Sequence, residues 1–203
     1  MNGEILEEVD HAKYLGVLID NKLNWKFHIN SINLKLSKGT GLLAKIRHFV
    51  PSDVLRSLYF SFTNPYVDYN LLNWGMAPLT NLDLVNKKIK KTVRIISFKD
   101  SDTSCTPLYQ NLNILPLLKS IELRQSQYMW KLYNGFLPSS LTSNFALNQR
   151  TLYSVSSSRL DSLDRYIVYS GPITWNKIPP AIKTKPSLRS FTKNLRKHLL
   201  NQI

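Results

Sequence analysis

Lys13-Tyr14-Leu15-Gly16-Val17-Leu18-Ile19-Asp20, followed by Leu23-Asn24-Trp25, sets the layout of this chain. Tyr14 to Ile19 is apolar and rich in β-formers, as is Ile5 to Val9. The polar Asp10-His11-Ala12 lies between them, so the pair reads as a two-stranded hairpin. Asn24 then stands where a helix cap belongs. Beyond it Trp25, Ile29, Ile32, Leu36, Gly39, Leu43 and Ile46 recur at alternating spacings of 4 and 3, which draws one apolar stripe along a long helix. Lys26, Lys35, Lys38, Lys45 and Arg47 fall off that stripe.

Further helices follow. Pro51 opens one that stops before Asn64-Pro65. Tyr66 to Trp74 is aromatic-rich, helical or irregular, and ends at Gly75. Thr80 or Asn81 caps a third long helix with Leu82, Val85, Ile89, Val93 and Ile96 inside and Lys87, Lys88, Lys90, Lys91 and Arg94 outside. Thr106-Pro107 starts a short helix, and Leu117 to Tyr133 forms another, stopped by Asn134-Gly135. Pro138 to Phe145 has room for one or two turns. The serines between Asn148 and Ser158 read as an exposed connection. Tyr166 to Tyr169 reads as a short strand and Gly171-Pro172 as a turn. Ser187 caps a last basic helix with Leu188, Phe191, Leu195 and Leu199 on one face. The fold class is therefore mainly α: a helical bundle with a small N-terminal β-hairpin and a short strand/turn region before a C-terminal helix. The expected division is a hairpin over 1–24, a helical domain over 25–147 and a serine-rich connection with turn and helix over 148–203.

Charge narrows the function. The chain carries 27 Lys and Arg against 13 Asp and Glu, a net +14. Five of those acids and one base lie at or before Asp20, so the remaining body holds 26 bases against 8 acids. So basic a body repels itself unless a polyanion neutralises it. Nucleic acid is the first expectation. No run approaches the ~18 apolar residues of a spanning helix, so a membrane is not expected. The acidic start lacks the features of a signal peptide, and Cys105 stands alone, which points to a nuclear or cytoplasmic, unsecreted protein. His11, His28, His48 and His198 form no ligand pattern, so no metal site is expected.

The order of short motifs resembles the C-terminal part of reverse transcriptases of non-LTR (LINE-type, Jockey-like) retrotransposons. Lys13 to Asp20 with Leu23 and Trp25 match that family's post-palm hairpin and the entry to its thumb. Lys45-Ile46-Arg47, Tyr59, Trp74-Gly75, Arg94-Ile95-Ile96, Thr106-Pro107-Leu108-Tyr109, Ile114-Leu115, Gly171-Pro172, Trp175-Asn176, Ile178-Pro179 and the Ser187 helix continue the match. The resemblance implies that Tyr14, Leu15 and Gly16 hold a primer end and that the helices grip a template–primer duplex, RNA or RNA–DNA. It implies the rest of a reverse transcriptase as a further partner. The family's chemistry needs paired Asp residues holding two Mg²⁺ ions. This sequence has no Asp-Asp pair, and Asp100 with Asp102, or Asp161 with Asp164, are poor imitations. The expectation is a chain without polymerase activity in isolation, whose Mg²⁺ belongs to a palm outside these 203 residues.

The candidate contacts are thus Tyr14, Leu15 and Gly16 with Lys35, Lys38, Lys45, Arg47, Lys87, Lys88, Lys90, Lys91 and Arg94. Tyr66, Tyr69 and Trp74 are candidates for base stacking. Each has a plainer reading: the lysines as a solvated face, the aromatics as core. Two other classes of function stay open: a co-opted helical protein–protein interaction module, and a remnant of a retroelement without function.

Overall fold

The computed structural model describes residues 8–145, 153–154 and 166–203. Two short strands, β1 (His11–Tyr14) and β2 (Val17–Asp20), precede eleven helices among the described residues. These are α1 (Lys26–Ile46), α2 (Ser52–Phe62), α3 (Asn64–Asp68), α4 (Leu71–Trp74), α5 (Leu79–Ile96), α6 (Thr106–Leu112), α7 (Leu117–Tyr133), α8 (Ser139–Thr142), α9 (Ile167–Lys177), α10 (Pro180–Lys183) and α11 (Leu188–Leu200). The architecture is mainly α, with one antiparallel hairpin at the start and a helix at the end.

The hairpin is tighter than its sequence suggests. Tyr14 to Ile19 is not one strand: Leu15 and Gly16 form a two-residue turn, with φ of 45° and 81°. His11 pairs with Asp20 and Tyr14 with Val17. Positive φ at both central residues suits the right-handed twist of a hairpin, but Leu is an unusual occupant. Of the expected first strand, Ile5 to Glu7 lie outside the described residues, and Glu8 and Val9 are not in a strand.

An isolated hairpin is marginal, but this one is docked. Val17 is buried against the core and β2 packs on α1. His11 stacks on Phe27, and the Tyr69 hydroxyl donates to the Leu15 carbonyl. Asp20 governs the exit. Its buried carboxylate accepts from the backbone N–H groups of Lys22 (3.2 Å), Asn24 (3.0 Å) and Trp25 (2.7 Å). Trp25 sits at φ 63°, a strained value for a bulky residue, and Asp20 holds it there. Asn24 accepts from Lys26 N–H at 2.9 Å, but the N-cap of α1 is Trp25, one residue beyond the expected Asn24, because Asp20 holds Trp25 at the helix entry.

The two long helices, α1 and α5, carry the first core. Ile29, Ile32, Leu36 and Leu43 of α1 and Leu82, Val85, Ile89, Val93 and Ile96 of α5 are buried, as their spacing requires. The helices run side by side in the same direction. At one end Asn81 donates to the Asn24 carbonyl, mid-way the Thr40 and Thr92 hydroxyls lie 2.7 Å apart, and beyond them His48 meets Phe98. α2, α3 and α4 fill the crossover and contribute Leu55, Tyr59, Val67, Leu71 and Trp74 to the same cluster. α5 begins at Leu79, one or two residues before the expected cap.

α7 joins this core to a second one. Leu117 and Ile121 pack into the first cluster; Leu123, Met129, Trp130 and Leu132 belong to the second, with Trp175, Phe191, Leu195 and Leu199. Here one expectation fails. The segment from Ile167 is helical, with Gly171 and Pro172 inside α9 rather than a strand and a turn. A Cβ on Gly171 would stand 2.7 Å from the Met129 sulfur, so glycine lets α9 cross closely over α7. Trp175 is buried, and the Asn176 carboxamide bonds both the N–H and the carbonyl of Tyr153. Most of the serine-rich connection, with Asp161 and Asp164, lies outside the described residues.

Asp20→Ala strands three N–H groups around a strained Trp25 and should cost about 2–4 kcal/mol in chemical denaturation; a loss below ~0.5 kcal/mol would show that the turn holds itself. His28 supplies a pH test. It is buried between Trp25 and Trp74, its Nδ1 faces the Leu18 N–H, and its Nε2 has no partner among the described residues. Burial, and then the Lys35 charge, hold its pKa below the ordinary 6.5. On acidification the unfolded chain binds this proton first. Stability should therefore decline as pH falls through about 6.5 and stop declining, for this group, below the folded value. Unfolding midpoints between about pH 7 and about pH 5 should fall less in His28→Gln than in the native chain.

Candidate nucleic-acid interface

Parallel packing of α1 and α5 decides where their lysines go. Each helix turns its apolar stripe into the core, which leaves other residues off it. Lys38 and Lys45, two turns apart, lie off the buried stripe of α1, and Lys87, Lys88 and Lys91, at helical spacings of three and four, lie off that of α5. Lys87 pairs with Asp83 at 2.8 Å. Among the described residues Lys38, Lys45, Lys88 and Lys91 have no acidic partner. Leu34 of α1 and Leu84 of α5 are also exposed.

The other expected cations are elsewhere. Lys35 leaves the outer face and stands over the Tyr66 ring, 5.2 Å from its centroid. Arg47 lies past the end of α1, over Phe98, with Nε donating to His48. Lys90 and Arg94 flank α5 on the side of α6. There Arg94 Nε donates to the Thr103 carbonyl at 2.8 Å, and both residues line an open groove of about 410 Å³ with Cys105 and Tyr109. Of the nine expected cations, Lys38, Lys45, Lys87, Lys88 and Lys91 thus lie off the buried stripes of the two long helices, while Lys35, Arg47, Lys90 and Arg94 stand against other groups.

The hairpin tip is a distinct feature. Tyr14 is 66% exposed and Leu15 73% exposed, while Gly16 is approached by the Tyr69 ring. Together Tyr14 and Leu15 form the lip of a groove of about 560 Å³, whose walls include Trp25, Tyr69, Met76 and Tyr166. Of the three stacking candidates, Tyr66 and Tyr69 are exposed. Trp74 is not available: it is fully buried and its indole N–H donates to the Tyr69 carbonyl at 2.9 Å. Met76 and Tyr166 were not singled out by the sequence. Nothing local marks them, because they reach the groove from separate elements.

No described helix is long and apolar enough to span a membrane. Among the described residues no group of three or more His, Cys, Asp or Glu is placed to hold a metal ion.

Comparison with known proteins gives the lineage in outline. The chain is 26% identical over 121 residues to the probable RNA-directed DNA polymerase from transposon X-element of Drosophila melanogaster, a match covering 58% of this chain and 13% of that protein. It is 30% identical over 101 residues to the RNA-directed DNA polymerase from mobile element jockey of Drosophila funebris, covering 48% of this chain and 11% of that protein. No family model matches, and no solved structure matches. The chain spans only a small part of the curated relatives it matches, and over about half its own length it is related to RNA-directed DNA polymerases of mobile elements.

Proposed function

We propose that this chain is the primer-grip hairpin, thumb and post-thumb region of a LINE-type reverse transcriptase, and that it binds the sugar-phosphate backbone of a template–primer duplex. The observation that carries this reading is the set of lysines Lys38, Lys45, Lys88 and Lys91, off the buried stripes of α1 and α5 and without an acidic partner among the described residues. Flexible, fully charged side chains of this kind neutralise phosphates without reading sequence. The exposed Tyr14-Leu15-Gly16 tip projects from the same N-terminal end, where a primer terminus would be held. Carboxylates and Mg²⁺ would come from a palm supplied by another part of the polymerase.

A second reading has its own support. Leu34 on α1 and Leu84 on α5 are exposed large apolar side chains, which a protein-docking face would use. Salt dependence separates the two, because phosphate binding releases counterions and apolar docking does not. About six phosphate contacts should give a log–log salt slope of roughly −5 in anisotropy with a labelled RNA–DNA duplex. Replacing Lys38, Lys45, Lys88 and Lys91 by Gln should make that slope shallower by roughly 3–4. Duplex binding that ignores salt would sink the proposal and favour the docking face. With Mg²⁺, deoxynucleotides and a primed RNA template, the purified chain should extend no primer; processive synthesis would overturn that part of the reading.

A further inference from the structure

The last helix carries a second basic surface, separate from α1 and α5. Arg196, Lys193 and Lys197 of α11 face Gln110 and Asn113 at the end of α6 across an open groove of about 770 Å³, with Asn194 and Asn201 also in its walls. No acidic residue lines it. Arg196 is fixed in place, its Nη2 donating to the Asn113 carbonyl at 2.8 Å, while Lys193 and Lys197 are exposed and unpaired among the described residues. Behind the groove Arg56 donates from Nε to the neighbouring Leu112 carbonyl. The nearby acid, Asp68, is already held by the fork of Arg124. Burial first, and then the Arg56 charge, hold the pKa of Arg196 below its ordinary value.

The carboxamides decide which anion fits. The exposed side chains of Asn113 and Asn201 stand in the walls of the same groove. Exposed amides beside fixed cations suit a ligand that offers both phosphates and the hydrogen-bonding edges of bases. Base edges are open in a single strand and closed to side chains in the deep groove of an RNA helix. We propose that the α6–α11 groove binds single-stranded RNA, with Lys193, Arg196 and Lys197 on phosphates and Asn113 and Asn201 on base edges.

The test uses the full chain and two labelled probes, a mixed-sequence single-stranded RNA and an RNA–DNA duplex. Lys193→Gln with Lys197→Gln should weaken single-strand binding at least about fivefold and make its salt slope shallower by roughly 1.4, at about 0.7 per lost contact. Lys38→Gln with Lys91→Gln should leave single-strand binding within about twofold. Both pairs are exposed, so the circular dichroism and unfolding midpoint should stay as in the native chain. Asn113→Ala should weaken a base-bearing strand more than an abasic one. Single-strand binding unchanged in the Lys193/Lys197 variant overturns the proposal, as does equal loss for both lysine pairs. Absence of duplex binding with the single-strand result intact removes the thumb reading alone.

Discussion

Two apolar stripes closing on each other in the same direction are the constraint from which the rest of this structure follows. Adjacent helices joined by a short loop run antiparallel. α1 and α5 are parallel, so the chain between them must travel back along the pair before α5 can start. That return is made by α2, α3 and α4, and it is used: Leu55, Tyr59, Val67, Leu71 and Trp74 form the floor on which both long helices rest. The Thr40–Thr92 contact is buried at the crossing, where each hydroxyl also reaches the carbonyl four residues back on its own helix, at 2.7 and 2.9 Å. Small polar residues at that point allow a close approach without an unsatisfied group.

The same constraint sorts charge. A helix with five lysines and arginines off its stripe spreads them over more than half a turn of its surface. A neighbour on one flank and a crossover on the other remove part of that range. Lys35 is drawn to Tyr66 on the crossover side, and Lys90 and Arg94 are turned towards α6. Of the rest, Lys38, Lys45, Lys88 and Lys91 have no acidic partner among the described residues, and Lys87 pairs with Asp83.

Sequence and structure agree where periodicity alone decides. The stripes of α1, α5 and α11, the bounds of α7 and the Ser187 cap, whose Oγ accepts from Ser190 N–H, were legible because each is a local pattern on a long helix. Disagreement falls where tertiary contacts outweigh local signals. Gly171-Pro172 is a turn by composition, yet the Met129 contact keeps it inside α9. Leu15 carries no turn signal, and the hairpin takes it because the register of β1 with β2 puts it opposite Gly16 at the tip. Asp20 reads as the end of a strand and acts as the anchor for three amides. Trp74, open in sequence to stacking or to the plainer core reading, is core. For the candidate interface the residue types were legible and their disposition was not, because the rotation of one helix against another is absent from any single stripe.

Two basic surfaces on one small body raise a question of stability, since each adds self-repulsion to the other. The structure answers with geometry more than with acids. Arg56 and Arg196 direct their guanidinium groups at the Leu112 and Asn113 carbonyls, the exposed end of α6, where the helix dipole is negative. Arg94 does likewise with the Thr103 carbonyl. Backbone oxygens thereby take the place of carboxylates, and the positive charge is anchored without being cancelled. A carboxylate in their place would neutralise the field that draws a polyanion; a carbonyl holds the guanidinium still and leaves its charge to act outward. The arginines are in this way held by the backbone, whereas Lys193 and Lys197 on α11 and Lys91 on α5 are exposed and have no acidic partner among the described residues.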